Sequence, residues 1–243
     1  MATGAKLTSW RDQHKGLAFT YARVFDYDFA LLEAHRRTMD DSLKAAIRDH
    51  DHHWIKIRDQ VRDEEEMMAH AEAYHEAAEL LPRLQWNAQL VLAYSTFEHS
   101  LNQLCKMAHG RFPGSVSLED FQKQAKKRDQ GIYKAKSYMR DIVGITTPFS
   151  TPSWRFADRV NKLRNVIAHT NGEFDDPLIP KQKLALDAFK DDPNVRVVIN
   201  TSDGKHQRFR LTPQFLHVAI HHFAQVVQDV CLAEPKAQNL VLT

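Results

Sequence analysis

A chain of 243 residues, 43% hydrophobic and 26% charged, has the composition of a globular domain with a sizeable core and excludes a disordered or fibrous chain. Its net charge of +2 excludes a generally basic nucleic-acid coat, so any RNA contact must use a local patch. Cys105 and Cys231 are the only cysteines and both sit among apolar helical positions, which reads as two buried, reduced thiols. No apolar run approaches the roughly 18 residues of a membrane span. Arg23 interrupts Leu17 to Phe25, so no signal peptide is expected; the expected location is the cytoplasm, without a membrane partner.

Only 8 glycines and 9 prolines favour long helices. The pattern to about Tyr27 is mixed. Phe29 to Ala78 then reads as one or two long, highly charged helices, including Asp63-Glu64-Glu65-Glu66, too polar for an independent core. Residues 1–81 are therefore expected as a helical N-terminal extension, 82–234 as the main helical domain and 235–243 as a tail. Pro82 is expected to separate the extension from a long helix through His109, in which Trp86, Leu90, Tyr94, Phe97, Leu101 and Leu104 form an apolar stripe. Arg111 to Gly114 reads as a loop, Ser117-Leu-Glu-Asp120 as a helix start for Phe121 to Lys127, and Ile132 to Ile145 as a further helix. Thr151-Pro-Ser153 leads into another helix, and a short one is expected near Leu184 to Phe189. Val195 to Asn200 and Lys205 to Leu211 flank Thr-Ser-Asp-Gly, a hairpin signal, and Pro213 opens a final amphipathic helix to Leu232. The fold class is thus all-α with a small β-hairpin before the last helix.

A loose pattern of Arg, four to six residues, His occurs three times: Arg48 to His53, Arg164 to His169 and Arg210 to His217. Helical geometry separates them. From Ser153 onward, Phe156, Val160, Leu163 and Ile167 fall on one stripe spanning about 60° at about 100° per residue. Asp158, Lys162, Asn165 and His169 lie roughly opposite, and Arg164 sits on the flank, about 80° from the stripe. Asn165 and His169 are one turn apart, hence neighbours. Thr170-Asn171-Gly172 supplies a C-terminal stop in which Asn171 or Gly172 can take a left-handed conformation. By contrast, Arg210 and His217 span the helix start at Thr212-Pro213, and Arg48 to His53 has no comparable stripe.

The string Leu163-Arg164-Asn165-Val166-Ile167-Ala168-His169, together with the earlier helix and its central Phe97-Glu98, resembles the signature of the HEPN superfamily of helical domains. The resemblance covers about Leu84 to Leu232 and leaves residues 1–80 outside. It implies a four-to-five-helix bundle that dimerises so that two Arg/His motifs share one cleft, which in many members cleaves RNA without metal. A toxin or antiviral-defence role, and a regulatory or antitoxin protein as partner, follow from the same resemblance. Toxins of one branch carry a Tyr two residues after the His, a target for modification; here that position is Asn171, which removes this control.

The chemistry also follows from the residue types. Cleaving RNA through its own 2′-hydroxyl needs a base, an acid and positive charge on the phosphorane-like transition state. His169 fits either proton role, Arg164 offers forked donors to phosphate oxygens, and Asn165 can orient the imidazole or hold a phosphate oxygen. One His per chain makes half a site, so a homodimer is expected, with a 2′,3′-cyclic phosphate as product. Arg155, Arg159 and Lys162 form an i, i+4, i+7 row that could hold substrate, and Lys123, Lys126, Lys127, Arg128, Lys134 and Lys136 cluster nearby in sequence; the plain alternative is a solvated face. No cofactor is expected. His50-Asp51-His52-His53 and the pair His217 and His221 have metal-like spacing but no evident third ligand, so no metal is expected. A non-catalytic RNA- or protein-binding module of the same fold is the alternative reading.

Overall fold

The computed structural model describes residues 24–59, 61, 63–111, 115–124, 130–174, 178–199 and 207–233. It is predominantly helical with one small sheet. In chain order the helices are α1 (Asp26–Ile57), α2 (Glu64–His75), α3 (Leu81–Arg111), α4 (Leu118–Gln124), α5 (Ile132–Tyr138), α6 (Pro152–Thr170), α7 (Pro180–Phe189) and α8 (Pro213–Leu232). The strands are β1 (Glu173–Phe174), β2 (Val195–Ile199) and β3 (Gln207–Leu211), in the order β1-β3-β2, antiparallel throughout. The expected hairpin is present as β2 and β3, with Val197 opposite Phe209. The two-residue strand β1 was not foreseen, being too short to show a period.

Tertiary contacts divide the chain into two compact units. The first comprises Met1–Ala30, Tyr94–Asp158 and His221–Thr243, and the second Leu31–Ala93 and Arg159–Ile220. Each unit is drawn from separate stretches of the chain.

In the first unit the core is built on aromatic rings. Phe97 stacks on Phe223 at 4.7 Å, and Tyr94 meets Phe223 edge-on at 5.8 Å. Around them Leu101, Leu104, Ile132, Tyr138, Val226 and Val230 are buried, so the stripe expected on α3 faces a core. Ser117 caps α4 as expected, accepting the Asp120 N–H at 3.0 Å. Thr151 does the same for α6, accepting from Trp154 N at 3.2 Å. The helix expected over Ile132 to Ile145 runs as α5 into one wide π-turn, Met139–Val143, and stops where Gly144 takes a φ of 80°. Cys105 and Cys231 are both buried and free, and burial pushes each thiol up to about 12.

In the second unit Phe174 of β1 packs edge-on against Phe209 of β3 at 4.5 Å, and Phe189 of α7 packs edge-on against Phe215 of α8 at 5.4 Å. Thr212 caps α8 through Phe215 N at 3.1 Å. α1 and α2 contribute almost nothing to any core: α1 has Phe29 as its buried residue and α2 has none. Polar ties take over. Glu33 accepts from Arg36 at 2.7 Å, Arg37 at 3.1 Å and His217 of α8 at 3.1 Å. Burial opposes the charge on Glu33, but the hydrogen bonds from Arg36, His217 and Arg37 outweigh it and hold the carboxyl at about 2. Gln89 of α3 meets His35 Nδ1 of α1 at 3.1 Å.

Pro82 does not separate two helices. α2 continues through a π-turn at Glu76–Leu80 directly into α3, and Pro82 lies in the first turn of α3. A proline ring clashes with the carbonyl four residues back and donates no hydrogen bond to it. That carbonyl belongs to Ala78, and Arg210 Nη2 reaches it from β3 at 3.5 Å while Arg210 Nη1 pairs with Glu79 at 2.6 Å. The wider turn makes room for the ring, and the arginine partners the released oxygen.

The loop expected at residues 112–114, the end of α4 beyond Gln124, the basic residues Lys126, Lys127 and Arg128, the hairpin turn Thr201 to Gly204 and the tail from 234 lie outside the described residues.

Candidate functional site

α6 carries the whole Arg/His motif, and its buried face is the one its period dictates. Val160 and Leu163 are fully buried, with Phe156 and Ile167 below one-tenth exposed. Opposite them, Lys162 and Asn165 are half-buried and His169 is exposed. Arg164 is half-buried, and its Nη1 donates to Asn165 Oδ1 at 3.1 Å; Asn165 Nδ2 in turn donates to Asn161 Oδ1 at 3.4 Å. Arg164 and Asn165 are thus joined, while His169 stands apart from them one turn beyond Asn165. Five residues along a helix turn the side-chain direction by about 140°, so the guanidinium and the imidazole leave α6 in diverging directions.

The end of α6 is fixed by groups that hold His169 at a defined height. Asn171 has a φ of 54° and Gly172 of 80°, so both residues of the predicted stop adopt the left-handed conformation. A Cβ on Gly172 would lie 3.5 Å from Asn87 Nδ2 and from Ile167. Buried Asn87 of α3 donates to the Asn171 carbonyl at 3.1 Å and to its Oδ1 at 3.3 Å, and Thr170 Oγ1 contacts the Val166 carbonyl at 2.9 Å. From the sheet side, Phe209 N donates to the Gly172 carbonyl at 2.9 Å. Asn87 was missed in the sequence. Its signal was present, because it is an uncharged polar residue three positions from Leu90 on the apolar stripe of α3.

The row expected to hold substrate lies along α6. Arg155 is exposed but its Nη1 donates to the Ser150 carbonyl at 2.9 Å, and Arg159 lies over the Phe189 ring at 5.1 Å. Lys162 is half-buried on the His169 side of the helix. Asp158, expected on the same exposed face, accepts from the Tyr133 hydroxyl. Of the basic cluster in sequence, Lys123 pairs with Asp120 at 2.9 Å, Lys134 donates to Gln122 at 3.1 Å, and Lys136 lies over Trp154 at 5.2 Å.

Of the two other Arg-to-His pairs, the one formed by Arg210 and His217 has structural roles. Arg210 partners the π-turn, and His217 partners Glu33. Among the described residues, no three His, Cys, Asp or Glu side chains come together as a cation cage, and no helix is long and apolar enough to cross a membrane. No family model, curated protein or solved structure matches this chain.

Proposed function

We propose that the protein is a metal-independent endoribonuclease of HEPN type that cleaves RNA through its 2′-hydroxyl, with Arg164, Asn165 and His169 as its half-site. The observation that carries this reading is the surface ladder on α6: Asn161, Asn165 and Arg164 linked by hydrogen bonds, with exposed His169 one turn beyond. Arg164 would anchor the scissile phosphate, Asn165 would orient the guanidinium or a phosphate oxygen, and His169 would transfer a proton. Because Arg164 and His169 diverge by about 140° on one helix, a single chain does not enclose a phosphate between them. A two-fold partner would set Arg164 of one copy against His169 of the other and supply the second imidazole, so that one acts as base and the other as acid. Arg155, Arg159 and Lys162, on the same helix, are the proposed substrate contacts. A toxin or antiviral-defence role, held in check by a regulatory protein, is the biological setting proposed with this activity.

Incubating the full chain with mixed RNA in EDTA tests the reading. Fragments ending in 2′,3′-cyclic phosphate are expected, lost with a 2′-deoxy scissile nucleotide and lowered at least about 10²-fold by either His169→Ala or Arg164→Ala. Cutting of the deoxy substrate, or cutting only with divalent metal, would replace the mechanism by a metal-activated water. Salt-sensitive RNA retention without fragments would instead make this a binding module.

A further inference from the structure

The run His50-Asp51-His52-His53 plays no part in the ladder on α6, yet its first two residues line a defined groove. His50, Asp51 and Trp54 of α1 and Glu64, Met67, Met68, His70 and Tyr74 of α2 line a cavity of about 600 Å³, within the usual range for a small-molecule site. We propose that this groove binds a small organic cation with an aromatic or apolar body. This inference is independent of the ribonuclease reading.

Three features select that chemistry. The walls are aromatic and soft: the His70 ring lies 5.2 Å from Trp54 and 6.2 Å from His50, and His50 lies 5.4 Å from Tyr74. Met67 and Met68 remain 50% and 58% exposed, so the groove presents apolar surface to solvent that an apolar body would cover. The charged lining residues are carboxylates, Asp51 and Glu64, and none is a lysine or arginine. A phosphate or carboxylate ligand would meet like charge, whereas an ammonium group gains both the carboxylates and the ring faces. Finally, Nδ1 and Nε2 of His50 are both buried and without a hydrogen-bond partner among the described residues. Buried polar atoms are ordinarily satisfied, and a small turn of this ring towards the groove would let a protonated amine donate to whichever nitrogen carries no proton.

Three probes of similar size and different charge decide the matter: 2-phenylethylammonium, 2-phenylethanol and 3-phenylpropanoate, each titrated into the full chain and followed by NMR. The ammonium is expected to bind at one site, the alcohol at least tenfold more weakly and the carboxylate not detectably. Trp54→Ala and the double substitution Asp51→Asn with Glu64→Gln should each weaken the ammonium at least tenfold. Asp51 and Glu64 are exposed and α2 has no buried residue, so the double variant keeps its fold, which its helical circular dichroism checks. His169→Ala should leave binding unchanged, which separates this site from the one on α6. Equal binding of ammonium and alcohol, undiminished binding by the double variant, or no ammonium binding at millimolar concentration would overturn the proposal.

Discussion

Acid should weaken the second unit through one carboxylate. Glu33 is 16% exposed, accepts hydrogen bonds from Arg36, Arg37 and His217, and ties α1 to α8. Its carboxyl is held at about 2 rather than the ordinary 4.5. That difference corresponds to roughly 3 kcal/mol before screening. Arg37 is 68% exposed, so solvent weakens its share, and about 1.5–2 kcal/mol is the working figure. The folded-state value lies below the unfolded one, so the contribution is fully present above about pH 4.5 and is lost as the pH falls towards 2. Urea unfolding of the wild type and of Glu33→Gln at pH 7, 4.5, 3 and 2.5 measures this. The folded carboxyl is still largely ionised at pH 2.5, so the gap should shrink by about 1–1.3 kcal/mol, some two thirds of the whole, across the lower three points. A gap that stays constant from pH 7 to pH 2.5 would show that Glu33 acts only through packing and would refute the argument.

Arg210→Ala should cost about 1 kcal/mol by removing its pair with Glu79 and its contact with the Ala78 carbonyl, and should cost less in a Pro82→Ala background, where that carbonyl regains an ordinary helical partner; a double-mutant cycle by chemical denaturation reads the coupling. Cys105 and Cys231, with thiols pushed up by burial to about 12, should react negligibly with a disulfide reagent at pH 8 while folded and both react after unfolding; a fast native thiol would place one of them at the surface. Asn87→Ala should cost about 1–2 kcal/mol and, by loosening the left-handed stop at Asn171, lower RNA cleavage in protein that is still folded; unchanged cleavage would mean that His169 is positioned without that stop.

The features readable in the sequence are those decided within one or two helical turns. Phe156, Val160, Leu163 and Ile167 announce the buried face of α6 because a 3.6-residue period leaves no other arrangement. Asn171-Gly172, Ser117 and Thr212-Pro213 announce their turns because their chemistry is local. Pro82 misled for the complementary reason. Its local effect is to break a helix, but the carbonyl it releases is claimed by Arg210, 132 residues from Ala78, and no local rule contains that contact. Glu33 and His217 are likewise distant in sequence, although Glu33 with Arg36 and Arg37 carries an i, i+3, i+4 signature.

The same division runs through the site on α6. Which residues share the helix, and that Asn165 and His169 lie on its exposed side, are local facts. Which way the Arg164 guanidinium turns is set by Asn165 and Asn161, and whether Arg155 and Arg159 can reach a phosphate is set by Ser150 and Phe189. Helical geometry leaves Arg164 on the opposite flank from His169. A catalytic unit that needs arginine and histidine around one phosphate therefore cannot be assembled by repositioning side chains within one turn of α6. The proposed reaction would require a second α6, which makes the oligomeric state a direct test of that proposal: dilution to monomer should abolish cleavage more steeply than it lowers RNA binding. A monomer that cuts at full rate would assign the reaction to residues other than Arg164 and His169.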